Sequence, residues 1–385
     1  MNKQHFFIIG GGNLQYNFAQ KAKDFGFSVH IFDYDDKCKC RTIADYFHLV
    51  SIDDKDKIFT IAKEYKPVGI HTVATEQGNI SACFAGEKLG LNTNSYLTAL
   101  NTTDKSKMKK IFNANNIPNA KYLEINSVSD INDINIKFPL VVKPSDRSAG
   151  RGVSLARSKK DFKAIVEFAL NESFNKKVLI EQLITGKQFS VETISCGGRH
   201  YVAAFTEEYL LDGSDDFIET QQMIPARLSN EQKSRLKDLI MKTLNAFDIK
   251  YGACHIEVKL TQDGFKMIEI ASRMGGWRDV MIKSAYGIDY NELLINSLLD
   301  KQPNFNHLDK NYALVKMIYT QQDYDFYLKI KKEKPQIIIQ DEVKEYKNKT
   351  PKSLIDNQGF YYIQISKSED IDYFIVGGGG GGCSP

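Results

Sequence analysis

Cysteine is scarce in this sequence and unpaired in pattern. There are six in 385 residues, with no CxxC spacing. Cys38 and Cys40 are separated by one residue, too close for a usual zinc knuckle, so the cysteines read as small buried or surface residues. A preponderance of one charge is also lacking. The chain has 51 Lys and Arg against 48 Asp and Glu, a formal net charge of +3, and no basic block. Charge therefore gives no support to a nucleic-acid or membrane-surface partner. Long apolar runs are absent, so neither a signal peptide nor a membrane span is expected, and a reduced, cytoplasmic protein is. No convincing nucleophilic triad is visible, and tryptophan occurs once, at Trp277. What is there is ordinary globular material, 42% hydrophobic and 26% charged, long enough for two or three domains.

The stretch FFIIGGGNLQYNFA, residues 6–19, reads as strand, glycine turn and helix, the helix ending at Gly26. SVHIFDYD comes next as a second strand with Asp33 near its end. This is a Rossmann-type β-α-β, with an acid where a dinucleotide fold binds ribose. The third glycine of GxGxxG is Gln15, however, and that glycine permits close helix–strand packing. A dinucleotide-dependent oxidoreductase is disfavoured on this ground. Strand and helix signals alternate to residue 100, which predicts a parallel sheet. TDKSKMKKIFNANNIP then predicts a helix with Thr103 as a candidate N-cap and Pro118 just past its end. Two hairpins are expected, turning at Gly197–Gly198 and Asp263–Gly264. NEQKSRLKDLIMKTLNAFDI and NELLINSLLD predict helices, and the chain beyond Asn311 reads as mostly strand. VGGGGGGCSP reads as a flexible tail, with Cys383 functionally silent.

Two places carry chemistry. Lys143 ends the strand FPLVVKP, directly before a loop holding Ser148, Gly150 and Gly152. Glycines let backbone N–H groups approach phosphate oxygens, and a lysine supplies the neutralising charge. The spacing is not that of a P-loop, and an exposed hairpin with a lysine is the plain alternative. Glu257 and Glu269 lie on the two arms of the second hairpin, where a shared face would align both carboxylates for magnesium. Two solvated surface glutamates are the alternative, since alternation alone leaves the buried face open.

Taken together, the order of elements resembles the ATP-grasp enzymes of the carboxylate–amine ligase type. It is similar to L-amino-acid ligases, biotin carboxylase and carboxyaminoimidazole ribonucleotide synthetases, up to about residue 376. The resemblance implies a mixed fold, α/β and α+β. Its parts would be a Rossmann-like domain over 1–102, a small lid subdomain with linker helix over 103–180, and an ATP-grasp core with the metal site over 181–305. A C-terminal β-rich lobe over 306–376 and a tail over 377–385 would complete it. It implies Lys105 and Lys143 on ATP phosphates, SDRSAGRGV as a mobile flap, and Glu181, Gln182 and Leu183 at the adenine. Glu257 and Glu269 would hold Mg2+ or Mn2+, and Arg273 would meet the reacting phosphate or carboxylate. The glycine turn then need not hold a dinucleotide. Gln188 stands where the family often has a ribose-binding glutamate, and an amide can still bond a hydroxyl. Ala271 stands where the biotin carboxylase type has an asparagine ligand. The implied activity is an ATP-dependent carboxylate–amine or carboxylate–thiol ligase, of the amide-forming class. It would pass through an acyl phosphate and release ADP and phosphate, on an amino acid or small carboxylate. A phosphotransferase acting on a small metabolite is the alternative. Lys143, Arg273 and Arg278 would be the catalytic residues, and Glu76, Glu219, Trp277 and Arg278 are candidate substrate residues, Arg278 as a bidentate clamp and Trp277 as a pocket wall. A core tryptophan and a surface arginine are the plain readings of those two. A homodimer through the first domain is also among what the resemblance implies.

Overall fold

The structure is a computed structural model that describes residues 3–133, 137–148, 150–211, 214–215, 217–305 and 311–376. The glycine tail and Cys383 lie outside the described residues. The first hundred residues form β1 (His5–Ile9), α1 (Asn13–Asp24), β2 (Ser28–Asp33), β3 (Tyr46–Leu49), α2 (Lys55–Tyr65), β4 (Gly69–His71), α3 (Glu76–Lys88) and α4 (Tyr96–Asn101). The strands pair in parallel in the order β3-β2-β1-β4. Phe6 to Ile9 are all buried, as unbroken apolar strands must be when helices cover both faces. In the glycine turn, the Gly11 N–H donates to Asp33 Oδ2 at 2.7 Å, and Gln15 Nε2 donates to the Val73 carbonyl at 2.6 Å. A Cβ on Gly11 would meet Cys38 Sγ at 2.5 Å. The donor and the acid that a dinucleotide would need are spent on each other.

The next unit is α5 (Lys105–Ala114), β5 (Tyr122–Ile125), β6 (Leu140–Pro144), β7 (Ser154–Ala156), α6 (Lys159–Glu172) and β8 (Val178–Gln182). Its sheet is antiparallel, in the order β5-β8-β6-β7, with α6 packed on it through Phe162, Val166, Ala169 and Leu170. Asp104, rather than Thr103, caps α5, accepting from the N–H groups of Ser106 and Lys107 at 2.9 and 3.2 Å. The Thr103 hydroxyl instead donates back to the Ala99 carbonyl at 2.8 Å. Because β8 runs to Gln182, a division at 180/181 cuts through it.

The rest of the chain forms β9 (Lys187–Cys196), β10 (Arg199–Leu210), β11 (Glu219–Ile224), α7 (Asn230–Ala246), β12 (Gly252–Thr261), β13 (Gly264–Ala271), α8 (Arg278–Tyr286) and α9 (Tyr290–Leu298). It ends in β14 (Asn311–Met317), α10 (Gln321–Glu333), β15 (Ile338–Val343), β16 (Gly359–Ser366) and α11 (Ile371–Val376). All eight strands share one sheet, ordered β13-β12-β9-β10-β11-β14-β16-β15, so the C-terminal lobe extends the core's own sheet. Helix α10 departs from the strand expectation after Asn311. Its buried Asp323, Phe326, Tyr327 and Ile330 recur at helical spacing, and Thr320 and Asp323 cap it reciprocally. Phe189, Val191, Ile256 and Val258 of β9 and β12 pack against Leu236, Ile240 and Leu244 of α7. That contact decides the face left open by alternation: Gln188, Ser190, Glu192, His255, Glu257 and Lys259 point the other way. Among the described residues no helix is long and apolar enough to cross a membrane.

Candidate active site

A cleft of about 530 Å³ opens over that polar face, walled by the lid sheet, the first domain and the C-terminal lobe. Of the site residues expected from the sequence, all but Gly152 line it. Gly152 serves the loop's shape: its φ is +75°, and a Cβ there would sit 2.7 Å from Pro144 Cγ and 3.0 Å from Glu172 Cβ.

Lys143, Lys105 and Arg273 of the cleft each rest on a carboxylate, as charges withdrawn from water must. Lys143 on β6 and Glu181 on β8 are diagonal neighbours on paired strands, with Nζ 2.8 Å from Oε1. Lys109 approaches the other oxygen of Glu181 at 3.0 Å. Lys105, which opens α5, lies 3.0 Å from Glu269 Oε2 and donates to the Arg147 carbonyl at 3.0 Å. Arg273 donates twice to Glu76 Oε1. Against burial, which alone would raise it, Arg273 holds the Glu76 carboxyl down at about 2. Burial pushes the Lys109 ammonium down to about 8, with Glu181 opposing. Lys109 was not among the expected site residues. Its signal was present, since it comes four residues after Lys105 on one helix face. With the Glu181 carboxylate held by two lysines, the nearby Leu183 N–H is only lightly engaged, donating to the Pro139 carbonyl at 3.4 Å.

Glu257 and Glu269 are directly paired across β12 and β13. Burial, then the Glu269 charge, raises the Glu257 carboxyl. Against burial, Lys105 and Lys143 hold Glu269 below the usual carboxylate range. Two half-buried, facing carboxylates fit a hard divalent cation. Carboxylate oxygens of Glu208, Glu219 and Glu257 also lie within 4.8 Å of one another. Burial, then Glu208 and Glu257, pushes Glu219 up to about 8. Gln188 Nε2 donates to Glu208 at 3.0 Å and Glu219 at 3.5 Å. An amide suits this spot because a glutamate would add another charge to a crowd already repelling itself.

Arg278 corrects one expectation. It is 1% exposed, and its five N–H donors meet Glu192, Gln222, the Gly276 carbonyl, Ser190 and Glu208. It ties the floor together and offers no free fork to a substrate. Trp277, at φ +64°, turns the chain so that α8 enters beneath the cleft. Its ring lines the pocket and meets Phe360 edge-on at 5.7 Å. His255, also unforeseen, places Nδ1 2.5 Å from Glu192 Oε1 and Nε2 3.3 Å from Glu257. Against burial, Glu192 lifts its imidazole to about 10. Glu208 escaped notice because Glu207 beside it points to the opposite face, where it pairs with Arg227 at 2.7 Å.

Residues 136–280, which hold β6, β7, β8 and the paired Glu257 and Glu269, match the ATP-grasp domain family. The chain carries an ATP-grasp domain. It is 25% identical over 240 residues to alanine–anticapsin ligase of Bacillus subtilis, a match covering 56% of this chain and 50% of that relative. The chain thus spans about half the length of that curated relative. The structure superposes on L-amino acid ligase from Bacillus licheniformis with a TM-score of 0.79 at 19% identity, covering 97% of this chain and 96% of the other. It superposes on N5-carboxyaminoimidazole synthetase from Staphylococcus aureus, complexed with ADP, with a TM-score of 0.78 at 18% identity over 97% and 96%. Both likenesses establish the ATP-grasp fold over nearly the whole chain. Lys143 and Glu269 both lie within the residues that match the ATP-grasp domain family.

Proposed function

We propose that this protein is an ATP-dependent ligase that joins a carboxylate to an amine, acting on an amino acid or small carboxylate. The observation that carries the reading is the convergence of Lys105, Lys143, Glu257, Glu269 and Arg273 on one cleft inside an ATP-grasp domain. In this reading Glu181, Gln182 and Leu183 receive the adenine and Gln188 the ribose. Ser148, Gly150 and Gly152 shape the loop over the phosphates, which Lys105 and Lys143 neutralise. Glu257 and Glu269 would hold Mg2+ or Mn2+, which supplies charge withdrawal from the phosphate oxygens. A substrate carboxylate oxygen attacks the γ-phosphorus and ADP leaves, giving an acyl phosphate. The amine nitrogen then attacks the acyl carbon, phosphate leaves, and the amine gives up a proton. Arg273 stabilises the charge developing on the transferred group. The loop closes to keep water from the acyl phosphate. Glu76, Glu219 and Trp277 wall the substrate side, with Arg278 bracing them from below. Glu219 crowded by like charges favours a substrate that brings an ammonium.

The relatives' printed names favour ligation over the phosphotransferase ending. Hydroxylamine tests the reading: with Mg·ATP and the correct carboxylate it should trap a hydroxamate while ADP accumulates. ADP with a phosphorylated product that hydroxylamine does not intercept would sink the ligase reading.

A further inference from the structure

Lysines outnumber carboxylates where α5 meets β6 and β8. Lys105 takes Glu269 at 3.0 Å, and Glu181 stands between the other two, with Lys143 2.8 Å from Oε1 and Lys109 3.0 Å from Oε2. The Glu269 charge also reaches Lys109 and Lys143, but among the described residues only Lys105 pairs with it. Lys109, Glu181 and Lys143 are all buried, at 1%, 4% and 5% exposure. Lys143 and Glu181 line the cleft, whereas Lys109 does not. A ligand in the cleft therefore does not touch Lys109, and whatever Lys109 does for a ligand passes through Glu181. The charge count says what that is. With Lys143 as its one partner, Glu181 would form a neutral buried pair. Turning Lys143 toward an anion would then leave a buried carboxylate alone, which is strongly unfavourable. Lys109 removes that obstacle, because its ammonium stays on Oε2 when Lys143 lets go of Oε1.

We propose that Lys109 is a positioning residue for phosphate binding: by holding Glu181, it frees Lys143 to leave that carboxylate for a phosphate of the bound nucleotide. The proposal rests on the nucleotide-binding part of the function proposed above and not on the ligation that follows. A carboxylate facing one lysine keeps it, and a carboxylate facing two can release one. A neutral residue at position 109 locks Lys143 onto Glu181, and a neutral residue at position 181 unlocks it again.

The test titrates the full chain calorimetrically with Mg·ATP and, separately, with adenosine. Lys109→Met should weaken Mg·ATP binding about tenfold, the scale of a lost charge-assisted bond, and leave adenosine binding within about threefold, since only the phosphates call on Lys143. Adding Glu181→Gln to Lys109→Met should restore Mg·ATP binding to within about threefold of the unaltered protein, because an amide no longer retains Lys143 and no buried charge is left alone. Lys109→Arg, which keeps a cation on the carboxylate, should also stay within about threefold. A merely structural role gives the opposite pattern: ATP and adenosine weaken together, and the second buried substitution deepens the loss. Either of those results, or a loss of less than about threefold in Lys109→Met, overturns the proposal. If circular dichroism shows that Lys109→Met does not fold, the doubly substituted protein decides, and a loss there of more than about threefold overturns the proposal. No Mg·ATP binding by the unaltered protein removes the nucleotide reading and this proposal with it. Mg·ATP binding with no ligated product removes the ligase reading alone, which keeps the two failures apart.

Discussion

Lys105 holds Glu269 and Lys143 holds Glu181, so an anionic ligand entering the cleft must exchange partners with groups that already neutralise one another. Glu269→Gln strips Lys105 of its counter-charge and, under the proposed function, would remove an oxygen offered to the metal. Carboxylate-dependent ADP release should fall about a hundredfold or more, with the fold retained by circular dichroism. Lys109→Met breaks a buried pair and should lower stability by about 3 kcal/mol, read from urea unfolding. His255 sets a pH dependence. Its folded-state value, about 10, exceeds the ordinary 6.5, so its contribution is complete below pH 6.5 and is lost as pH rises through 10. The stability gap between the native protein and His255→Gln should therefore shrink across that window. A gap constant with pH would contradict the charged His255–Glu192 pair.

Among the elements, the lid loop offers the cleanest test, because Gly152 has both a positive φ and no room for a Cβ. Gly152→Ala should cost about 1–2 kcal/mol of strain and weaken ATP binding up to about tenfold, measured by calorimetric titration. The β-α-β opening, both hairpins, and the lysines and glutamates of the cleft were legible because each rests on local signal: turn glycines, alternation, or a residue at a strand end. The rest depends on contacts between distant segments. Alternation in HIEVKL could not say which face of β12 is inside until α7 covered Ile256 and Val258. Arg278 reads as an exposed helix-start residue until the left-handed turn at Trp277 sends it under β9. Helix α10 hid behind Tyr324, Phe326 and Tyr327, aromatic residues common in strands, although their spacing suits a helix.

At the scale of the whole molecule, the cleft depends on the chain's far end. Leu354, Ile355 and Asn357 line it, and β14 pairs with β11 inside the same eight-stranded sheet. A chain ending at residue 305 would leave β11 as a bare edge above an uncovered core. It should aggregate or unfold without a cooperative transition, whereas an independent C-terminal lobe would leave a folded, nucleotide-binding remainder. The first domain closes the opposite side: Arg273 reaches Glu76, and Asn13 donates to Glu342 at 2.9 Å, joining the glycine turn to β15. One measurement tests the central claim most directly. The purified protein is incubated with Mg·ATP and a pool of amino acids and small carboxylates, and nucleotides and new masses are tracked by mass spectrometry. The account predicts ADP, phosphate and a product whose mass equals two substrates less one water. AMP with pyrophosphate, or a substrate that keeps a phosphoryl group as the final product, would contradict it.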